Sequence, residues 1–482
     1  MMMNPRLRHP PYGFGKILAI SIILLLASAS ASSADQENSG TNEEAIKSKL
    51  PLATRKKLRA LDTRIILGLI DLAKFNIKLR QKANVRWAHR NLLYPLEQEA
   101  GNALQFTNTT IDLEERASAL DNPSRINNSV RKKGLTCSLT GNAIGGGSSA
   151  LELAQNGIVC LQASRQGLAP SKSLNTVDLK LNDLDAAMQE RDNIVLDLPE
   201  GKSKDLRELE SLLLSRMRFQ LVRQYKRWSA DSRARMWREN VFYALDTTQR
   251  FVNMSGDIVA FRAFTKSELS GPSSILGLVS SSIATVNPIA RTLVGKCIRK
   301  YEHRRVERRL KEPRVDRVKQ LLEDRGSKED IMKLARTKGS TERHIEELEL
   351  LIDSAIKTDA MIDKQAIEIE RLERVATQQA VSGPAIGLLS LSQKILGVVS
   401  FYGYKNDPLT SNRLRFAGRI PQMVGQGYSL VETPRTQIAG YIKNARLRRK
   451  GELPSQELNN RLTELDKIEN QVKNWENLEF EE

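Results

Sequence analysis

From Lys204 to Lys266 the chain contains no proline, and Leu206, Leu209, Leu213, Met217, Leu221, Tyr225 and Trp228 recur at helical spacing. Apolar residues at that period, with Arg216, Arg218, Arg223, Lys226 and Arg227 on the flanks, predict one very long amphipathic helix or two end to end. Such a stripe has to be covered, either by other helices or by a membrane surface. Leu58, Leu61, Leu69, Leu72, Ile65 and Ile77 carry the same signal, predicting a helix over about 54–93, with Thr54 as its N-cap and Pro95 as a break or kink. A further helical piece over 96–120 ends at the turn residues Asp121, Asn122, Pro123 and Ser124.

The fold class that follows is mainly α, an elongated helical bundle or coiled coil. Residues 341–377 place Ile345, Leu348, Ile352, Ala355, Ile362, Ala366, Ile369 and Ala376 at a/d spacing, a coiled-coil pattern. The stretch 455–478 repeats it with Leu458, Leu462, Leu465, Val472 and Trp475. Within this helical chain, 134–176 predicts a small β-prone insertion. Two short runs around Cys137 and Cys160 flank the glycine cluster Gly145, Gly146 and Gly147, which reads as a hairpin tip. In an oxidising compartment Cys137 and Cys160 could close that loop as a disulfide, leaving Cys297 over.

Leu269 to Ala290 is free of charge, rich in Gly, Ser and Ala, and followed by a basic block from Arg291 to Lys319. A similar arrangement recurs further on. Ser382, Gly383 and Pro384 echo Ser270, Gly271 and Pro272, and Arg435 to Lys443 echoes Arg291 to Arg299, so 271–381 and 382–450 read as two copies of a duplicated unit. Two readings of the apolar segments 269–298 and 383–404 stand side by side. They are buried core helices, since the serines and Lys394 dilute them, or they contact a membrane through tight small-residue helix packing.

The N-terminus supplies an address. Arg6, Arg8 and Lys16 precede the apolar run Ile17–Ala27 and a small-residue stretch ending at Ala34, the three parts of a secretory signal peptide over 1–34. A polar segment, 35–53, then leads into helical regions at 54–133 and 177–270, and 451–482 closes the chain. The formal net charge of +18 favours anionic partners. Arg299, Lys300, Arg304, Arg305, Arg308 and Arg309 are the candidate contacts to an anionic membrane or envelope surface. Export and the lack of a recognition module argue against nucleic acid.

No chemistry-bearing motif is present: no His-Glu-x-x-His, Gly-x-Ser-x-Gly, phosphate-binding Gly-Lys-Ser/Thr loop or Cys-x-x-Cys. His9, His89, His303 and His344 are scattered, so no catalytic residue, cofactor, metal or small-molecule substrate is inferred. The expectation is an exported, non-enzymatic helical scaffold or tether at the cell envelope, associated with the membrane and self-associating through the coiled coil. A membrane-active, pore-forming-like helical protein is the alternative, and an extracellular hydrolase with a site built from scattered residues ranks behind both.

Overall fold

The computed structural model describes residues 52–82, 90–199, 202–310, 357, 384–385, 387–450 and 454–478. Nine helices run through them: α1 Leu52–Lys82, α2 Arg90–Ala117, α3 Asn128–Arg165, α4 Pro170–Leu196, α5 Lys202–Ala263, α6 Ser270–Arg309, α7 over 387–402, α8 Pro408–Arg449 and α9 Pro454–Leu478. Single 3-10 turns at Pro123–Arg125 and Ser267–Leu269 join neighbours. No strand occurs among the described residues, so the mainly α expectation holds. The coiled coil expected over 341–377, apart from the single residue 357, and the signal peptide over 1–34 lie outside the described residues. The described residues from 56 onward form one unit.

The proline-free stretch is a single 62-residue helix, α5, and its two halves do different work. Its first half joins α1, α4, α9 and the end of α6 around a core of large apolar side chains. All six apolar residues named over 54–93 are buried, from Leu58 to Ile77, together with Leu214, Leu221, Tyr225 and Trp228 of α5. Leu458, Leu465 and Val472 of α9 close that core. Polar contacts fix the register: Asn76 Nδ2 donates to the Leu221 carbonyl at 2.9 Å, and Ser173 and Tyr225 pair their hydroxyls at 3.1 Å. Arg191, buried between α1, α4 and α5, holds Asp62 and Glu210. Lys74 of α1 clamps α9 by bonding both Asp466 and Glu469.

The β-prone insertion is not formed. Residues 128–165 are one uninterrupted helix, α3, capped by the Asn127 side chain on the backbone N–H of Ser129 and Val130. Of the glycines that read as a hairpin tip, Gly145 and Gly146 lie against the Arg250 side chain of α5, and two other glycines of α3 let it pack closely on α2. A methyl at Gly141 would come within 2.6 Å of the Gly101 carbonyl oxygen, and one at Gly134 within 2.9 Å of Asn108 Oδ1. Glycine weakens a helix by roughly 0.5–1 kcal/mol each, and here the loss is offset by letting backbones approach. The same helix rules out the disulfide. At about 1.5 Å per residue, Cys137 and Cys160 stand about 34 Å apart along the axis, against the 7 Å limit for bridging, and both are free thiols. Pro95 does not end a helix either, since α2 starts before it at Arg90 and carries it in its first turns.

Candidate functional site: a closed ring of six helices with a polar interior

The second half of α5 belongs to a different assembly. It runs antiparallel to α6, with Ser273 Oγ donating to the Gly256 carbonyl at 2.9 Å, Ser280 Oγ to the Gln249 carbonyl at 3.0 Å and Asn287 Nδ2 to the Phe242 carbonyl at 3.4 Å. On its other side α3 lies antiparallel, through Ser138 and Asn142 to Asp257 at 2.8 and 2.9 Å and Asn156 to Asn240 at 2.9 Å. Helix α2 pairs with α3 through Gln105 to Asn142 at 2.6 Å and Gln98 to the Gly145 carbonyl at 2.9 Å. Helix α7 packs on α6, where the Ser281 and Ser390 hydroxyls meet at 3.3 Å and Gly387 seats against Thr285. It turns back into α8, with Arg415 Nε donating to Ser400 Oγ at 2.6 Å. Finally α8 returns to α2, where Asn412 Nδ2 donates to the Ala119 carbonyl at 3.0 Å and Arg419 Nε to Asp112 at 2.7 Å. The order α2–α3–α5–α6–α7–α8–α2 is therefore a closed ring in which every neighbour is antiparallel.

The interior of this ring is polar. Asn108, Thr109, Asp112, Arg116, Ser138, Asn142, Ser149, Glu152, Asp246, Arg250, Ser280, Asn287, Ser400 and Asn412 are all buried. Among the described residues, no Leu, Ile, Val, Met or Phe of α2, α3, α7 or α8 is. A water-soluble core sorts residues the other way. The exterior is the complement. Leu151, Ile158 and Leu161 of α3, Phe251, Ile258 and Phe261 of α5 and Ile275, Val279, Val286, Ile289 and Leu293 of α6 are exposed. So are Leu388, Ile395 and Val399 of α7 and Ile420, Val424 and Val431 of α8. Over 93–113, 134–161, 241–261, 272–293, 387–402 and 414–434, no exposed residue among those described is charged. Among the described residues one helix, Ser267–Arg309, is long and apolar enough to cross a membrane, and 22% of its apolar window is buried. On α6 the outward stripe from Ile275 to Leu293 spans about 27 Å at about 1.5 Å per residue.

Where the ring carries its three turns, at 118–127, 264–269 and 403–407, a cavity of about 410 Å³ opens inside it. All six helices contribute to its wall. Five cationic side chains line it (Arg116, Arg131, Lys394, Arg415 and Arg419) against two carboxylates, Asp112 and Asp257. Asp112 takes three guanidinium Nε donors at once, from Arg116 at 2.8 Å, Arg131 at 2.9 Å and Arg419 at 2.7 Å.

The basic residues named from the sequence occupy the opposite end of α6, beyond the apolar stripe. Lys300, Arg304 and Arg308 are exposed there. Arg299 instead pairs with Asp231 at 2.9 Å, Arg309 with Asp178 at 3.0 Å, and Arg305 leans on Glu302. Beside them Lys226 donates to Glu307 at 2.9 Å and holds that carboxyl below its ordinary range. Half of the candidate surface contacts are thus drawn into the chain's own ion pairs. The arginines of the cavity were not singled out from the sequence, because they are spread over 116–419 and only ring closure gathers them.

Among the described residues no cluster of His, Cys, Asp and Glu could hold a metal ion. No family model, curated protein or solved structure matches this chain.

Proposed function

We propose that the six-helix ring is embedded in a lipid bilayer and anchors the chain in the cell envelope, holding the Leu- and Ile-rich core of α1, α4, α5 and α9 at the membrane surface. The observation that carries this reading is the inverted sorting of the ring, polar inside and uncharged outside. Left in water, each of these half-exposed Leu, Ile or Phe side chains would forgo part of the roughly 1.5–3 kcal/mol that full burial contributes. Lipid is the occupant that fits, because outward stripes lie on five of the six helices of a closed ring, whereas a protein partner covers one face.

Three further features support it. The α6 stripe of about 27 Å compares with a hydrocarbon core about 30 Å thick. Helix contacts inside the ring rest on small residues, with Gly101 against Gly141 and Gly256 against Leu276, as lipid-embedded helices favour. Exposed aromatic residues mark the margins, Trp237 and Tyr301 at one and Tyr402 and Tyr404 at the other. Lys300, Arg304 and Arg308 then lie next to the headgroups, where basic residues meet anionic lipid. The export signal read in residues 1–34 would deliver the chain to that membrane.

Fractionation of cells expressing the full-length chain tests the reading. The chain stays in the membrane pellet through high salt and alkaline carbonate and leaves only with detergent. Release by salt, or recovery in the soluble fraction, sinks it.

A further inference from the structure

We propose that the cavity at the turn end of the ring is a binding site for a phosphate-type oxyanion. Five cations face two carboxylates there, a surplus of three positive charges inside a closed wall. The surplus is not neutralised from within. Asp112 is already shared by three guanidinium groups, and Asp257 accepts from Ser138 and Asn142. Lys394 and Arg415 form no ion pair among the described residues.

The donors are also held for use. Each of the three arginines on Asp112 binds it through Nε; Arg116 also gives one terminal N–H to Asn412 at 3.1 Å and Arg419 one to Gln422 at 2.7 Å, and these bonds together orient the terminal N–H groups that remain. Arg415 spends its Nε on Ser400, again leaving the terminal N–H groups. A planar guanidinium fork matches two oxygens of a tetrahedral oxyanion, and an ammonium beside it adds an unshared charge. Lys394 is kept in place by the packing of its side-chain carbons over Gly277, where a methyl would intrude to within 2.9 Å.

The volume, about 410 Å³, admits more than a bare phosphate ion, so a phosphate carrying an organic substituent fits as well. Asn128, Phe264 and Ser267 line the wall and lie at the turns, so the mouth opens at the end of the ring. Either a dissolved phosphate compound or the headgroup of a phospholipid can enter there. The site stands on the ring geometry, independently of what covers the outer belt.

Isothermal titration of the purified full-length chain, kept in an uncharged detergent, tests the site with inorganic phosphate, glycerol phosphate and phosphatidic acid in nanodiscs. Binding tighter than about 1 mM is expected, weakened at least tenfold in both Lys394→Gln and Arg415→Gln and unchanged in Lys300→Gln, which lies at the other end. Asn128→Asp adds a negative charge at the exposed mouth without touching the interior. It weakens binding too, and keeps the test alive if the interior variants fail to fold. Preference for the phosphatidic acid nanodiscs identifies a headgroup site, and preference for glycerol phosphate a site for a dissolved ester. Absence of binding by the unmodified chain, or undiminished binding by the folded variants, overturns the proposal. Fractionation can fail while this titration succeeds, so the two claims fall separately.

Discussion

At the residue scale the glycines of α3 divide into those that touch and those that do not. Gly141 lies against the Gly101 carbonyl, while nothing stands within 4 Å of a methyl at Gly147. Gly141→Ala is therefore expected to destabilise the ring by about 1–3 kcal/mol through overpacking. Gly147→Ala should stabilise it by about 0.5–1 kcal/mol, as alanine does inside a helix. Denaturant unfolding of the two variants checks the opposite signs. That division could not be read from the sequence. A run of Gly145, Gly146 and Gly147 carries the same composition whether it forms a loop tip or a helix surface, and the contact that decides it, from Arg250 to the first two, belongs to another helix about 105 residues away. Lys394 teaches the same lesson. It read as an interruption of an apolar segment, yet it points into the cavity, so the segment's outer face stays apolar.

At the element scale, periodicity served well wherever a helix has one apolar side facing a core. The stripes of α1, of the first half of α5 and of α9 were legible because large side chains at that period have one physical use. The ring helices were not, since their apolar side faces out and their polar side faces in, and a period says nothing about which side is which. Helix α9 also carries a titratable clamp. Lys473 and Lys74 both donate to Glu469 and hold its carboxyl at about 2, below the ordinary 4.5. A carboxyl depressed in the folded state contributes stability that is complete above the unfolded value and fades as pH falls through the folded one. Docking of α9 on α1 is thus expected to be full above pH 4.5 and to weaken as pH falls toward 2. Hydrogen exchange of the α9 amides across that window should show earlier opening in acid, and Glu469→Gln should show the weakened state already at neutral pH.

At the scale of the whole molecule, two kinds of core share one long helix. The first half of α5 sits in a Leu, Ile and aromatic core such as water enforces, and the second half in a ring whose polar groups face one another. An ordinary hydrophobic driving force explains the first and opposes the second, unless the ring's surroundings are themselves apolar. The fold class and the long helix were plain from the sequence. Ring closure was not, because it depends on six antiparallel pairings that unite α2 with α8, some 300 residues apart. The central claim is that lipid covers the belt, and labelling of single cysteines in isolated membranes tests it most directly. With Cys137, Cys160 and Cys297 replaced, cysteines at Ile275, Val286 and Ile289 on the α6 stripe are expected to resist a water-soluble maleimide until detergent is added, while cysteines at Lys300 and Arg304 react at once. Equal reactivity at the two sets of positions in intact membranes would contradict the account.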